Sequence, residues 1–144
     1  MKLYNDSCDL GREHDDQTDP RIRGEAAPMA QILEMECELL PSDMLVDEFE
    51  AIRDDDKRTN LLSLSTAFDA RIAVTPSIVA RARDLAALGF GGKDAVHLAC
   101  AEFAEADWFL TTDDRLFRCA RRHRKILKVR VDNPAAWVLR YARQ

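Results

Sequence analysis

Glycine and proline are scarce, with five of each in 144 residues, too few for a low-complexity chain. Apolar stretches run only a few residues before a charge breaks them, so a membrane-spanning helix is not expected. The opening Met1-Lys2-Leu3-Tyr4-Asn5-Asp6 lacks the apolar core of a signal peptide, and a secreted destination is not expected either. Cys8, Cys37, Cys100 and Cys119 form no C-x-x-C pair, and each sits in or beside apolar sequence. Reduced, mostly buried thiols in a cytoplasmic protein are the expectation. No internal repeat or linker-like stretch divides residues 1–144, which are therefore expected to form one domain.

What is present is an apolar fraction of 47%, enough for a core, and a charged fraction of 33%. The charges are segregated. Residues 1–114 carry 25 acidic and 11 basic side chains, whereas residues 115–144 carry ten basic ones and a single acid, Asp132. An enzyme acting on a polyanion has use for such a division, with carboxylates in one place and a cationic surface in another. A solvated acidic surface followed by an Arg-rich final helix accounts for the same numbers.

Residues 2–5 read as a short strand ending in Asp6-Ser7-Cys8-Asp9, followed by an Asp-rich polar loop to Pro20. Ile22, Ala26, Met29, Ala30, Leu33 and Cys37 recur at helical spacing and predict one long amphipathic helix over 22–39, with a short strand near 38–40. Pro41-Ser42-Asp43 supplies a turn and an N-cap for a helix carrying Met44, Leu45, Glu48, Phe49 and Ile52. A further helix from about residue 57 carries Leu61, Leu62, Leu64 and Phe68, and residues 71–74 predict a β-rich core strand. Thr75-Pro76 opens a helix that Gly89 stops. Gly91-Gly92 opens another over 93–104, with Val96, Ala99, Cys100 and Phe103 on one apolar stripe. A strand over 107–111, a helix over 113–122, a last strand over 126–131 and a short helix from Pro134 complete the order. Strands alternating with helices predict an α/β fold whose parallel sheet is covered on both faces. In such sheets the ligand site lies beyond the carboxyl ends of the strands.

Under that rule four of the 26 acids stand out. Asp6 follows the first strand, Asp113 follows the 107–111 strand, Asp94 opens a helix beside Gly91-Gly92, and Glu48 lies in the helix after the 38–40 segment. Carboxylates that converge without matching cations stay ionised only when a divalent ion neutralises them. Hard oxygen donors point to Mg²⁺ or Mn²⁺ rather than zinc. Each acid taken alone also has a structural explanation: Asp6 as a turn cap, Asp94 and Asp113 as acids at helix N-termini, Glu48 as a solvated helix residue.

Several segments are recognisable together. Leu3-Tyr4-Asn5-Asp6-Ser7-Cys8, Asp15-Asp16-Gln17 with Pro20-Arg21-Ile22-Arg23, Leu45-Val46-Asp47-Glu48, Asp94-Ala95-Val96-His97-Leu98-Ala99 and Phe109-Leu110-Thr111-Thr112-Asp113-Asp114-Arg115 occur in one order along nearly the whole chain. In that order they resemble the PIN-domain family of metal-dependent ribonucleases, which includes toxins of toxin–antitoxin pairs. The resemblance implies a three-layer α/β/α sandwich around a parallel sheet. It makes Asp6, Glu48, Asp94 and Asp113 the catalytic, metal-binding acids for Mg²⁺ or Mn²⁺, and Ser7 and Thr111 the hydroxyls that support them by hydrogen bonds. Asn5 stands where the family usually has an apolar strand residue, and Asp9 adds a charge where a small or apolar residue is common.

Asp47 and Asp114 adjoin the chosen acids but are expected to point elsewhere, since adjacent helical residues do not share a face. His97, three residues after Asp94, falls on the same side of its helix and is either a neighbour of the site or a packed core histidine. Trp108 and Trp137 are expected in the core. A haloacid-dehalogenase-type phosphatase needs an Asp-x-Asp after its first strand, and a receiver domain needs a Lys closing a late strand; neither pattern is present. The expected activity is RNA hydrolysis, with Arg115, Arg118, Arg121, Arg122, Arg124 and Lys125 holding the RNA backbone. An antitoxin protein and a second copy of the chain in a homodimer are candidate partners. The competing reading is a catalytically silent module of the same fold that binds RNA or protein and needs no metal.

Overall fold

The computed structural model describes residues 1–6, 18–35, 37–66 and 71–141, with the backbone alone at 22, 23, 25 and 29. The expectations for Ser7, Cys8, Asp9, Phe68 and residues 15–17 lie outside the described residues. Within them run β1 (Lys2–Asn5), α1 (Pro20–Glu34), β2 (Glu38–Leu39), α2 (Asp43–Glu50), α3 (Asp55–Thr66) and α4 (Pro76–Ala87). They are followed by α5 (Gly92–Phe103), β3 (Trp108–Leu110), α6 (Asp114–Arg122), β4 (Arg130–Asp132) and α7 (Pro134–Tyr141).

The sheet has the order β2-β1-β3-β4 with every neighbouring pair parallel. Side chains alternate across it, as the pleat requires. Tyr4 and Phe109 enter one core with Ile78, Leu85, Leu98, Leu116 and Cys119, beneath α4, α5 and α6. Leu3, Trp108 and Leu110 enter the other with Ile32, Leu45, Phe49, Leu61 and Trp137, beneath α1, α2, α3 and α7. Both faces are thus covered, in a three-layer α/β/α arrangement. Trp108 and Trp137 are both buried, and the edge of the Tyr141 ring meets Trp108.

Several helix starts follow from local chemistry. Ser42, Thr75 and Asp113 have extended backbones, and their side chains accept N–H groups two or three residues on. Each satisfies donors that a helix start leaves without intrahelical partners. Three cysteines among the described residues are free thiols: Cys100 and Cys119 are buried and Cys37 half-buried. Burial pushes Cys37 up and Cys100 up to about 11.

Four expectations fail for identifiable reasons. The helix expected over 22–39 ends at Glu34, because Glu38 N–H donates to Met1 O and Leu40 N–H to Leu3 O, drawing that segment into the sheet. Residues 71–74 are not a core strand: one bridge joins Ile72 to Ser42. Arg71 pairs with Asp43 at 2.7 Å instead, and Val74 N–H donates to the same carboxylate. The last strand starts at Arg130 rather than 126, since Arg81 donates to Ile126 O and Lys128 N–H donates to Glu102. Those backbone groups are held by a side-chain pair instead of a ladder. Phe103 is 62% exposed; in the last turn of α5 it lines a surface cleft with Ser77, Arg81 and Lys128 instead of the core.

Candidate active site

Strand register brings the first two groups together. Asn5 lies opposite Leu110, and the ladder continues one residue further, with Asp6 N–H donating to Leu110 O at 3.2 Å and Thr111 N–H to Asp132 O at 3.1 Å. Asp6 and Thr111 therefore leave the sheet side by side at its carboxyl edge. The Thr111 hydroxyl donates to Asp6 Oδ2 and accepts the N–H of Asp113 at 3.0 Å. Asp113 in turn caps α6, its Oδ1 accepting from Arg115 N–H at 2.9 Å and Leu116 N–H at 3.1 Å.

Two helices deliver the other acids. Glu48 comes from α2, which Ser42 caps with a 3.1 Å bond from Leu45 N–H, and Asp94 from the first turn of α5. Asp6, Glu48, Asp94 and Asp113 line one cleft of about 300 Å³ together with Ala51, Lys93 and His97. Asp94 and Asp113 also line an adjoining groove of about 250 Å³ with Gly91 and Arg115.

The electrostatics reflect crowding. Burial raises the pKa of Asp94, the charges of Asp113 and Glu48 raise it further, and His97 and Arg115 oppose them. Among the described residues no three His, Cys, Asp or Glu side chains form a ready metal-ligand group; the four acids line the cleft without meeting at a point. As a donor set they are hard carboxylate oxygens, which suits Mg²⁺ or Mn²⁺.

The neighbouring acids point away. Asp47 is exposed, and Asp114 forms an exposed 3.3 Å pair with Arg21. His97 is both a packed and a cleft residue: it is 2% exposed, and its Nε2 lies 2.7 Å from Glu48 Oε1. The basic residues divide. Arg115 lines the acidic groove, whereas Arg121 and Arg124 line a separate cleft of about 270 Å³ with Trp108, Phe117, Val131 and Arg140. Arg118, Arg122 and Lys125 are exposed. Lys93, Tyr4 and Ser42 were not singled out in the sequence as residues of the site. Lys93 had only its place next to Asp94 to mark it, Ser42 was marked only as a helix N-cap, and the Tyr4 hydroxyl had no sequence mark.

No protein-family model matches the sequence, and no curated protein matches it. Solved structures do match. One is the crystal structure of VapBC2 from Rickettsia felis bound to a DNA fragment from their promoter, with a TM-score of 0.58 at 11% identity over 92% of this chain and 98% of that chain. Another is VapBC-1 from nontypeable Haemophilus influenzae, with a TM-score of 0.61 at 12% identity over 93% of this chain and 98% of that one. The chain therefore shares the fold of these VapBC structures, a PIN-like α/β fold with a parallel central sheet. Among the described residues no helix is long and apolar enough to cross a membrane.

Proposed function

We propose that the chain is a metal-dependent endoribonuclease that hydrolyses RNA phosphodiester bonds in the cytoplasm, as the toxin of a toxin–antitoxin pair. One observation carries this reading: Asp6, Glu48, Asp94 and Asp113, from four different segments, line one cleft at the carboxyl edge of the parallel sheet. Mg²⁺ or Mn²⁺ would be held by these four acids. Such an ion supplies charge neutralisation at the scissile phosphate and activates water for hydrolysis.

The chain's own residues have separable tasks. Thr111 holds the Asp6 carboxylate, and Asp113 is anchored by the first N–H groups of α6. Lys93 and Arg115 set positive charge beside the acids, where an RNA phosphate has to lie for the cleft to act on it. Both matching structures are named VapBC, and their toxin–antitoxin character supports an antitoxin protein as a partner here. A homodimer is part of the same proposal.

Incubating a mixed RNA pool with the purified chain and Mn²⁺, with and without EDTA, tests the reading. Cleavage that EDTA abolishes and that Asp6→Asn lacks is the expected result. RNA bound but left intact, with or without the ion, would favour the catalytically silent module.

A further inference from the structure

A buried polar row crosses the apolar core behind the acidic cleft. The Tyr4 hydroxyl lies 2.6 Å from Ser42 Oγ and 2.5 Å from His97 Nδ1, and His97 Nε2 lies 2.7 Å from Glu48 Oε1. Tyr4, Ser42 and His97 are all buried, and Phe109 stacks on the Tyr4 ring at 5.3 Å. Burial pushes the Tyr4 hydroxyl well above its ordinary pKa, so it remains a donor.

With His97 uncharged, the hydrogen bonds run in one direction. An ionised Glu48 only accepts, so Nε2 carries the proton that bonds it. In the uncharged ring Nδ1 is then an acceptor, which the Tyr4 O–H fills. Ser42 Oγ already accepts from Leu45 N–H and donates its own proton to the Tyr4 oxygen. The row thus touches α2 twice, at its N-cap Ser42 and at Glu48, and ties both to β1 and α5. A polar row within a core is stabilising only when each member is satisfied, and simple packing at positions 4 and 97 would be served by apolar side chains.

We propose that Tyr4 and His97 are positioning residues: Tyr4 fixes the Nε2–H tautomer of His97, and His97 fixes the orientation of the Glu48 carboxylate in the acidic cleft. This rests on the acidic cleft being the cation site of the proposed function. Partners that orient a metal ligand typically contribute about 10- to 100-fold to metal affinity.

The test is Mn²⁺ affinity by calorimetry on the whole chain, read beside the melting temperature without metal. Glutamine can present a donor where Nε2 lies, whereas asparagine reaches only the Nδ1 position. His97→Gln is expected to stay within about 3-fold of wild type, and His97→Asn to lose about 10-fold or more. Tyr4→Phe, which keeps the ring and loses one hydroxyl, is expected to bind several-fold more weakly, with RNA cleavage at limiting Mn²⁺ falling in the same order. Equal losses in the two His97 variants, or wild-type affinity in Tyr4→Phe, would overturn the positioning role alone. Should His97→Asn fail to fold, Tyr4→Phe decides. A wild-type chain that binds no Mn²⁺ would overturn the cation site itself and the positioning role with it.

Discussion

Asp94 sits in surroundings hostile to charge, with burial, Asp113 and Glu48 all raising its pKa. A carboxyl whose folded pKa lies above its unfolded value binds protons more tightly when folded, so stability falls as the pH rises between the two values and the deficit is complete above the higher one. A neutral amide of the same shape carries no such deficit. Asp94→Asn is therefore expected to raise the melting temperature of the EDTA-treated chain near neutral pH. The gain should vanish as the pH falls below about 4, where the acid is protonated in both states. Melts across that pH range check it, and identical curves near neutrality would contradict it. Asp113 serves two ends with one side chain, because the oxygen that caps α6 belongs to an acid of the cleft. Asp113→Asn keeps a capping oxygen and removes the charge; Asp113→Ala removes both and should cost about 1 kcal/mol more in stability. Both variants are expected to lose cleavage, and denaturant melts should separate them. In the sequence, capping and function stood as rival readings of Asp113, since spacing says where an acid falls in a helix but not which atoms it meets.

Helix starts were legible in the sequence because their chemistry is local: Ser42, Thr75 and Asp113 each satisfy donors two or three residues away. Residues 71–74 and 126–129 were not legible, because their backbones bond to Asp43, Arg81 and Glu102, partners distant in the chain. The turn between α4 and α5 shows how an element end governs a site. Gly89 has φ +112°, and a Cβ there would meet only Cys119 Sγ at 3.8 Å. Gly89→Ala is strained by the backbone alone and should lose roughly 1–2 kcal/mol of stability, leaving the folded fraction able to bind Mn²⁺. Gly91 has an ordinary φ of -59° as the residue before α5, but its Cβ would stand 3.2 Å from Asp94 Oδ2. Gly91→Ala should leave the melting temperature nearly unchanged and weaken Mn²⁺ binding, because the Asp94 carboxylate has to move. Calorimetry and thermal melts on the two variants should give opposite patterns; a shared pattern would mean that Asp94 is not held where its bonding to a cation requires.

Across the whole molecule, the charge division legible in the sequence acquires a geometry that the sequence did not contain. Arg115 shares a groove with Asp94 and Asp113, while Arg121 and Arg124 line a second cleft, beside β4, with Arg140 and the lone acid of the basic stretch, Asp132. Arg130 there lies over the Trp108 ring, 4.4 Å from its centre, so the aromatic surface at that edge is already covered by a cation. If RNA runs from the acidic groove around α6 to this second cleft, the two sets of arginines act on different quantities. A contact far from the scissile bond binds substrate and transition state alike, and its loss raises KM while sparing kcat. A cation beside the reacting phosphate affects kcat as well. Arg121→Gln with Arg124→Gln is therefore expected to raise KM, leave kcat unchanged, and flatten the dependence of log affinity on log salt by about 1.4, the effect of two single-stranded phosphate contacts. Arg115→Gln should flatten it by about 0.7 and lower kcat. Binding titrations over a range of salt concentrations with single-turnover cleavage measure all four values. A double variant with the wild-type salt slope would show that RNA stays within the acidic groove and that the basic edge beside β4 serves a different partner.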